Sequence, residues 1–274
     1  MNTAHHYVVR GILMRYNLYM SWASRRRGIY LTGAIALLII VIGIPLTKYS
    51  YRSPTCTDGI QNQGETAVDK GGPCPILDER ALSPASILWA RSFTVRDGLY
   101  SSVAYVDNEN ANAGVRAVHY RFGLYDGSNV LITERTGTMF VMPASITPVY
   151  EMNISTGNRT VAHTYFEFSE PLVWDRLKNE AAVIAVNNRE MTGVDTAPRL
   201  TAIAENVSVA PVSDLSFVAV IFDPAGNARA SSETALARLN AGEKQQIIFT
   251  WPDRFAGPVG RIDILAVAPP MPLK

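Results

Sequence analysis

From Ile76 to its end the chain shows no long helical periodicity, only short alternating apolar runs broken by Gly, Pro, Asn and Asp. SILWARSFTV, AVHYRFGLYD, NVLITERTGTMFV, LSFVAVIFD and QQIIFTWP are examples. A period of two sends successive side chains to opposite faces, so one face packs and the other meets water. The pattern is written twice, at an offset of 97 or 98 residues. Ile87 corresponds to Ile184, Asp107–Asn110 to Glu205–Ser208, FGLYD at 122–126 to AVIFD at 219–223, and TGTMFVMPA to TALARLNAG. In the strand of cleanest phase, Val118, Tyr120, Phe122 and Leu124 share a face, and Leu215, Phe217, Ala219 and Ile221 share its counterpart. Turn signals follow both: Asp126-Gly127-Ser128-Asn129 and Asp223-Pro224-Ala225-Gly226-Asn227. Such a period is that of one immunoglobulin-sized sandwich, not of a solenoid unit. The expected fold is all-β, with tandem β-sandwiches over residues 81–175 and 176–270.

The start of the chain obeys a different rule. Residues 29–47 read IYLTGAIALLIIVIGIPLT, a run without charge and apolar all round. A helix of that length spans roughly 28 Å, close to the hydrocarbon thickness of a bilayer. Arg25, Arg26 and Arg27 precede it, with Arg10 and Arg15 further back, whereas only Lys48 and Arg52 follow closely. That bias places residues 1–28 as a stub in the cytoplasm and exports the rest across a single-pass cell-membrane anchor. The run exceeds a usual signal core and no small-x-small site follows, so the helix is expected to stay uncleaved. Within the stub, His5 and His6 suggest a metal less readily than they suggest a misassigned start, since Met14 and Met20 are alternatives.

A neck, residues 48–80, links anchor and body. It contains CTDGIQNQGETAVDKGGPCP at 56–75. Outside the cytoplasm two cysteines are most simply a disulfide, Cys56 with Cys74. The oxygen-bearing Asp58, Asn62, Glu65 and Asp69 invite a calcium reading. The EF-hand spacing fails, because Ile60 and Gln63 occupy positions that need a ligand and a glycine. A disulfide-stapled polar turn is the simpler expectation. The spelling resembles a Cys/Gly module of bacterial surface proteins, approximately C-x-D-G-x-x-N-x-x-E-T-x-x-D-C-G-G-x-C. Lys70 stands where that module has a further cysteine.

FGLYD at 122–126 spells the motif of the FxLYD domain family, through Phe122, Leu124, Tyr125 and Asp126. The second copy departs at Ala219 and Phe222 but keeps Asp223. The resemblance implies seven-stranded immunoglobulin-like sandwiches, exported or membrane-tethered. Its motif is structural and carries no catalytic residue.

Little in the body points to chemistry. His119 and His163 fall at alternating, solvent-facing positions, and no HxxxH, HxH or G-x-S-x-G pattern occurs. Glu167, Glu170 and Asp175 read as a solvated edge rather than an acid–base pair. Trp89, Trp174 and Trp251 read as core or domain-interface fillers rather than a sugar platform. Asn153, Asn158 and Asn206 carry sequons. Residues 58–274 hold 18 basic and 24 acidic residues, which disfavours nucleic acid. The expected function is a non-catalytic, membrane-anchored module without cofactor, whose partner is another envelope protein or itself. The alternatives are an envelope enzyme or accessory subunit with a site between the domains, and a calcium-dependent surface protein using the neck.

Overall fold

The computed structural model describes residues 22–46, 56–62, 64–177 and 182–270. Two compact units emerge, residues 1–55 and Cys56–Lys274.

In the first unit, helix α1 (Trp22–Leu38) runs into a π-helical turn at Ile39–Gly43 and continues to Leu46. Arg25–Leu46 is long and apolar enough to cross a membrane, and none of it is buried. Its 22 residues span about 33 Å. The helix begins before Ile29, where the apolar run begins. Arginine is a good helix former, and the Arg26 guanidinium lies 4.0 Å from the Trp22 ring centre. The π turn falls just before Pro45, whose ring nitrogen has no N–H to give to the preceding turn. Thr47 and the His5–His6 pair lie outside the described residues.

The second unit holds the neck and both sandwiches. The first sandwich comprises β1 (Ser86–Arg96), β2 (Leu99–Asn108), β3 (Ala113–Tyr125), β4 (Leu131–Val141), β5 (Ser145–Ser155), β6 (His163–Phe168) and the short β7 (Asp175–Arg176). The second comprises β8 (Ile184–Thr192), β9 (Arg199–Asn206), β10 (Val212–Phe222), β11 (Ala228–Leu239), β12 (Lys244–Thr250) and β13 (Arg261–Val267). One plan is used twice. Sheets β1-β2-β5 and β4-β3-β6 build the first, and β8-β9-β12 and β11-β10-β13 the second. Strand β7 pairs with β3, so a boundary after Asp175 cuts through it. Leu177 also belongs to the first sandwich: it is buried, and its N–H donates to Asn112 O.

Each sandwich has its own core, and the alternating residues fill it. Val118, Tyr120, Phe122 and Leu124 meet Ala104, Val106, Val149 and Phe166. Leu215, Phe217, Ala219 and Ile221 meet Leu200, Ala202, Ile247 and Phe249. Burying one such side chain contributes about 1.5–3 kcal/mol.

A third apolar layer changes the picture of one wet face per sheet. Phe93, Val103 and Tyr105 of the first sandwich pack on Val218, Val220, Phe222 and Ala228 of the second. The outer face of β1-β2-β5 therefore lies on the outer face of β11-β10-β13, and the central strands β2 and β10 are buried on both faces. The solvated second face is found in β3, where His119 is exposed and Arg121 half-exposed. It is not found in β10, because its second face carries Val218, Val220 and Phe222. A strand with two buried faces reads as a continuous apolar run, as FVAVIF does.

Candidate functional site

The FxLYD-like residues build a corner. Phe122 and Leu124 are wholly buried, while Tyr125 meets the Tyr165 ring edge-on at 5.3 Å on the outer face. Asp126 Oδ1 accepts the N–H of Ser128 at 2.9 Å and of Val130 at 3.0 Å, and its other oxygen pairs with Arg159. Arg159, then these backbone donors, hold its carboxyl below the usual carboxylate range. Asp223 repeats the device. It accepts from Asn227 N at 2.8 Å and Arg229 Nε at 2.8 Å, and the Asn227 N–H leads in pushing its carboxyl down to about 2. Each aspartate thus closes the turn after the central strand.

A second duplicated device was visible in sequence only as an asparagine-bearing segment. Asn108 Nδ2 donates to Ala113 O and Met142 O at 2.8 and 2.9 Å, and its Oδ1 accepts from Asn110 N. Asn206 Nδ2 donates to Ala210 O and Leu239 O at 2.8 and 3.0 Å, and its Oδ1 accepts from Ser208 N. Both asparagines are fully buried. They satisfy carbonyls that would otherwise be left dry. The sequon at Asn206 is therefore closed in the folded protein, whereas Asn153 and Asn158 are exposed.

The neck is a knot around the Cys56–Cys74 disulfide. Asp69 accepts the N–H groups of Asp58 and Gly59 at 3.0 Å each. Asp58 accepts from Ile60 N and Asn62 Nδ2, and buried Glu65 accepts from Asn62 N and Asp69 N. The four residues considered for calcium thus come together: Asp58, Glu65 and Asp69 turn oxygens to backbone and amide donors, while Asn62 Oδ1 is buried without a hydrogen-bond partner among the described residues. Glu65 Oε1 also lies 2.9 Å from Cys74 Sγ. Those two sulfurs are bonded to each other, so the Cys56–Glu65–Cys74 cluster offers no thiolate to a metal. The paired glycines have a steric reason. Gly72 has φ +49°, and a Cβ there would sit 2.1 Å from Gly64 O. The neck docks on the first sandwich through Arg176 Nη2 to Gly72 O, and the segment that follows it is held by the Ser83–Asn110 pair.

The polar candidates are spread out. His119 Nδ1 lies 2.8 Å from Glu170, whose carboxyl is held below its ordinary range, first by the His119 N–H. Glu167 pairs with Arg121, and Asp175 with Arg116. His163 is exposed at the start of β6. Glu167 and Asp175 therefore each face a guanidinium, and Glu170 faces the His119 ring and N–H. The tryptophans fill apolar space. Trp89 lies tilted against Tyr105 and edge-on to Phe222 in the layer joining the sandwiches, Trp174 packs on the first core, and Trp251 sits in the second core and donates to Ser231 O.

The joining layer is apolar with a few bonds across it: Arg91 to Ala228 O at 2.9 Å, and Ser101 to Ser231 at 3.2 Å. The Tyr105 hydroxyl is buried in it without a partner among the described residues, and burial pushes its titration up. At the rim of this layer lies a groove of about 340 Å³. Its lining includes Ile146 and Thr147 of β5, Ile184 and Val186 of β8, Ile264–Val267 of β13 and Ala268 just after it. Its charged lining residue, Arg189, donates through Nη1 to Ile262 O at 3.1 Å.

The matching seam of the first sandwich, between β1 and β6, is tied by a hydrogen bond. There Ser92 Oγ and Thr164 Oγ1 meet at 2.7 Å, tying β1 to β6. In the second sandwich a long guanidinium spans between β8 and β13 instead. Nothing in the alternating pattern announced the groove, because it depends on how two sandwiches dock.

No family model matches this chain, and no curated protein matches it. Among solved structures, red sea bream transglutaminase is similar at 9% identity and a TM-score of 0.24, over 71% of this chain and 32% of that one. The chain thus spans about a third of that structure's length.

Proposed function

We propose that this chain is a non-catalytic, single-pass membrane protein that holds two fused, FxLYD-like, immunoglobulin-like sandwiches outside the cytoplasm as a docking surface for another envelope protein. The apolar layer joining the sandwiches carries this reading. A flexible linker would present two independent modules, but a buried face-to-face layer presents one rigid block. An envelope enzyme with its site between the domains would need that site where Phe93, Val103, Val220 and Phe222 pack together. The basic bias before the helix supports a cytoplasmic N-terminus.

Two measurements test it. Cysteine-labelling topology in intact cells is expected to label an introduced Gln246→Cys from outside and an introduced Ser24→Cys only after permeabilisation; the reverse result overturns the orientation. Photo-crosslinking from the body in native membranes is expected to give discrete adducts, and an unmodified chain at every position overturns the docking role.

A further inference from the structure

We propose that the free edge of β13 accepts an extended, uncharged segment of another protein as an added strand, seated in the groove between the sandwiches. This rests on the docking role above and names its surface.

Five consecutive residues, Ile264–Ala268, line the groove. Consecutive strand residues point to opposite faces, so a groove that touches all five follows the strand's edge. Among the described residues strand β13 pairs with β10 on one side and with no strand on the other. An edge with unpaired N–H and C=O groups is a template for another strand. Arg189 reveals which groups face the groove: its guanidinium bonds Ile262 O, a side-chain donor where a neighbouring strand would offer N–H. Alternation puts the backbone groups of Ile264 and Ala266 on that same side.

Proteins blunt exposed edges with charge, proline or a covering element. Here those guards stand at the two ends, the Arg261–Asp263 pair and the Arg189 guanidinium before and Pro269-Pro270 after, and the stretch Ile264–Ala268 between them carries neither charge nor proline. The matching edge strand of the first sandwich, β6, holds Glu167, and its seam is tied by Ser92 and Thr164.

A strand suits this edge where a helix does not, because only an extended segment offers its backbone N–H and C=O groups to those of Ile264 and Ala266. Continuity points the same way. Leu265 and Val267 line the groove and also belong to the layer joining the sandwiches. One more strand beside β13 would widen that sheet and extend the same sheet-on-sheet packing over the start of β5. The apolar walls, Ile146 on one side with Ile184 and Val186 on the other, select apolar or small side chains, while the guanidinium in the lining, Arg189, is turned to Ile262 O.

The test uses the full chain in its native membrane. A photo-crosslinking residue replaces Val183, which is exposed beside the groove, and separately Ile203 or Tyr165 on the outer sheets. Mass spectrometry maps the segment captured. The expected result is an adduct at position 183 to an uncharged segment of another protein, reduced at least tenfold by Ile146→Lys. Ile146 is 40% exposed, so that variant is expected to melt as the parent does. Adducts at 203 or 165 but not at 183 overturn the groove and leave the docking role standing. Adducts nowhere overturn both. Capture at 183 of a second copy of this chain, of a charged or helical segment, or of a segment indifferent to Ile146→Lys also overturns the strand-addition proposal.

Discussion

The two sandwiches share one strand plan but use their faces oppositely. On β10 the face turned from its own core carries Val218, Val220 and Phe222 and is buried against the first sandwich. The matching positions on β3, at the same offset, are Arg121, Gly123 and Tyr125. Arg121 there pairs with Glu134 and Glu167 in solvent. The other sheets mirror this: Val103 and Tyr105 of β2 are buried between sandwiches, while their counterparts on β9 are Thr201 and Ile203. Topology is thus held by the inward face, and the outward face is free to decide what each sheet touches.

The largest expected effect breaks the shared part. Leu124→Asp and Ile221→Asp each place an unpaired charge in a core, which costs about 3–5 kcal/mol. Thermal melting by circular dichroism should show loss of the transition of at least the sandwich that carries the change; wild-type melting for either would mean that the strand phase is wrong. Next comes the exchange that separates the outward faces. Val218→Arg is expected to destabilise by about 3 kcal/mol and to split one melting transition into two. Its mirror, Arg121→Val, should stay within about 1 kcal/mol, because exposed ion pairs are weak. Equal costs for the two would remove the distinction between the sheets.

Smaller effects sharpen the likeness. Asn108→Ala and Asn206→Ala should each cost about 1–3 kcal/mol through buried carbonyls left without donors. Costs that differ widely in denaturant titration would argue that the two hubs are not equivalent. The smallest effect concerns the corner aspartate. Asp223 titrates near 2 when folded, below its unfolded value, so its contribution is present above the unfolded pKa and is lost as pH falls through the folded one. Asp223→Asn should therefore be less stable than the parent at pH 7, and the two should converge toward pH 2. A gap that persists at pH 2 would assign the effect to shape, not charge.

Much of this was legible because strict alternation specifies a face. Phe122, Leu124, Phe217 and Ile221 could be placed inside from spacing alone, and the neck disulfide from its two cysteines. The buried second face of β10 was half-legible, since FVAVIF is apolar at every position. The first strand of each repeat was not. The register shifts lie between Ile87 and Trp89 in β1 but between Asn187 and Glu190 in β8, so a constant offset misaligns them. The groove was not legible either, because it arises where Arg189 spans a seam that two hydroxyls close elsewhere. A repeat period encodes a domain's length but not how one domain meets the next.

The docking of unlike sheets has a consequence for assembly. An interface that joins one face of a unit to a different face of the next has no built-in end, and in principle it polymerises into an open filament. Here Arg121 and its two glutamates guard one terminal sheet, and the Lys244–Glu205 pair guards the other. Growth from chain to chain by that geometry would have to bury these charges, and buried ions carry a desolvation cost.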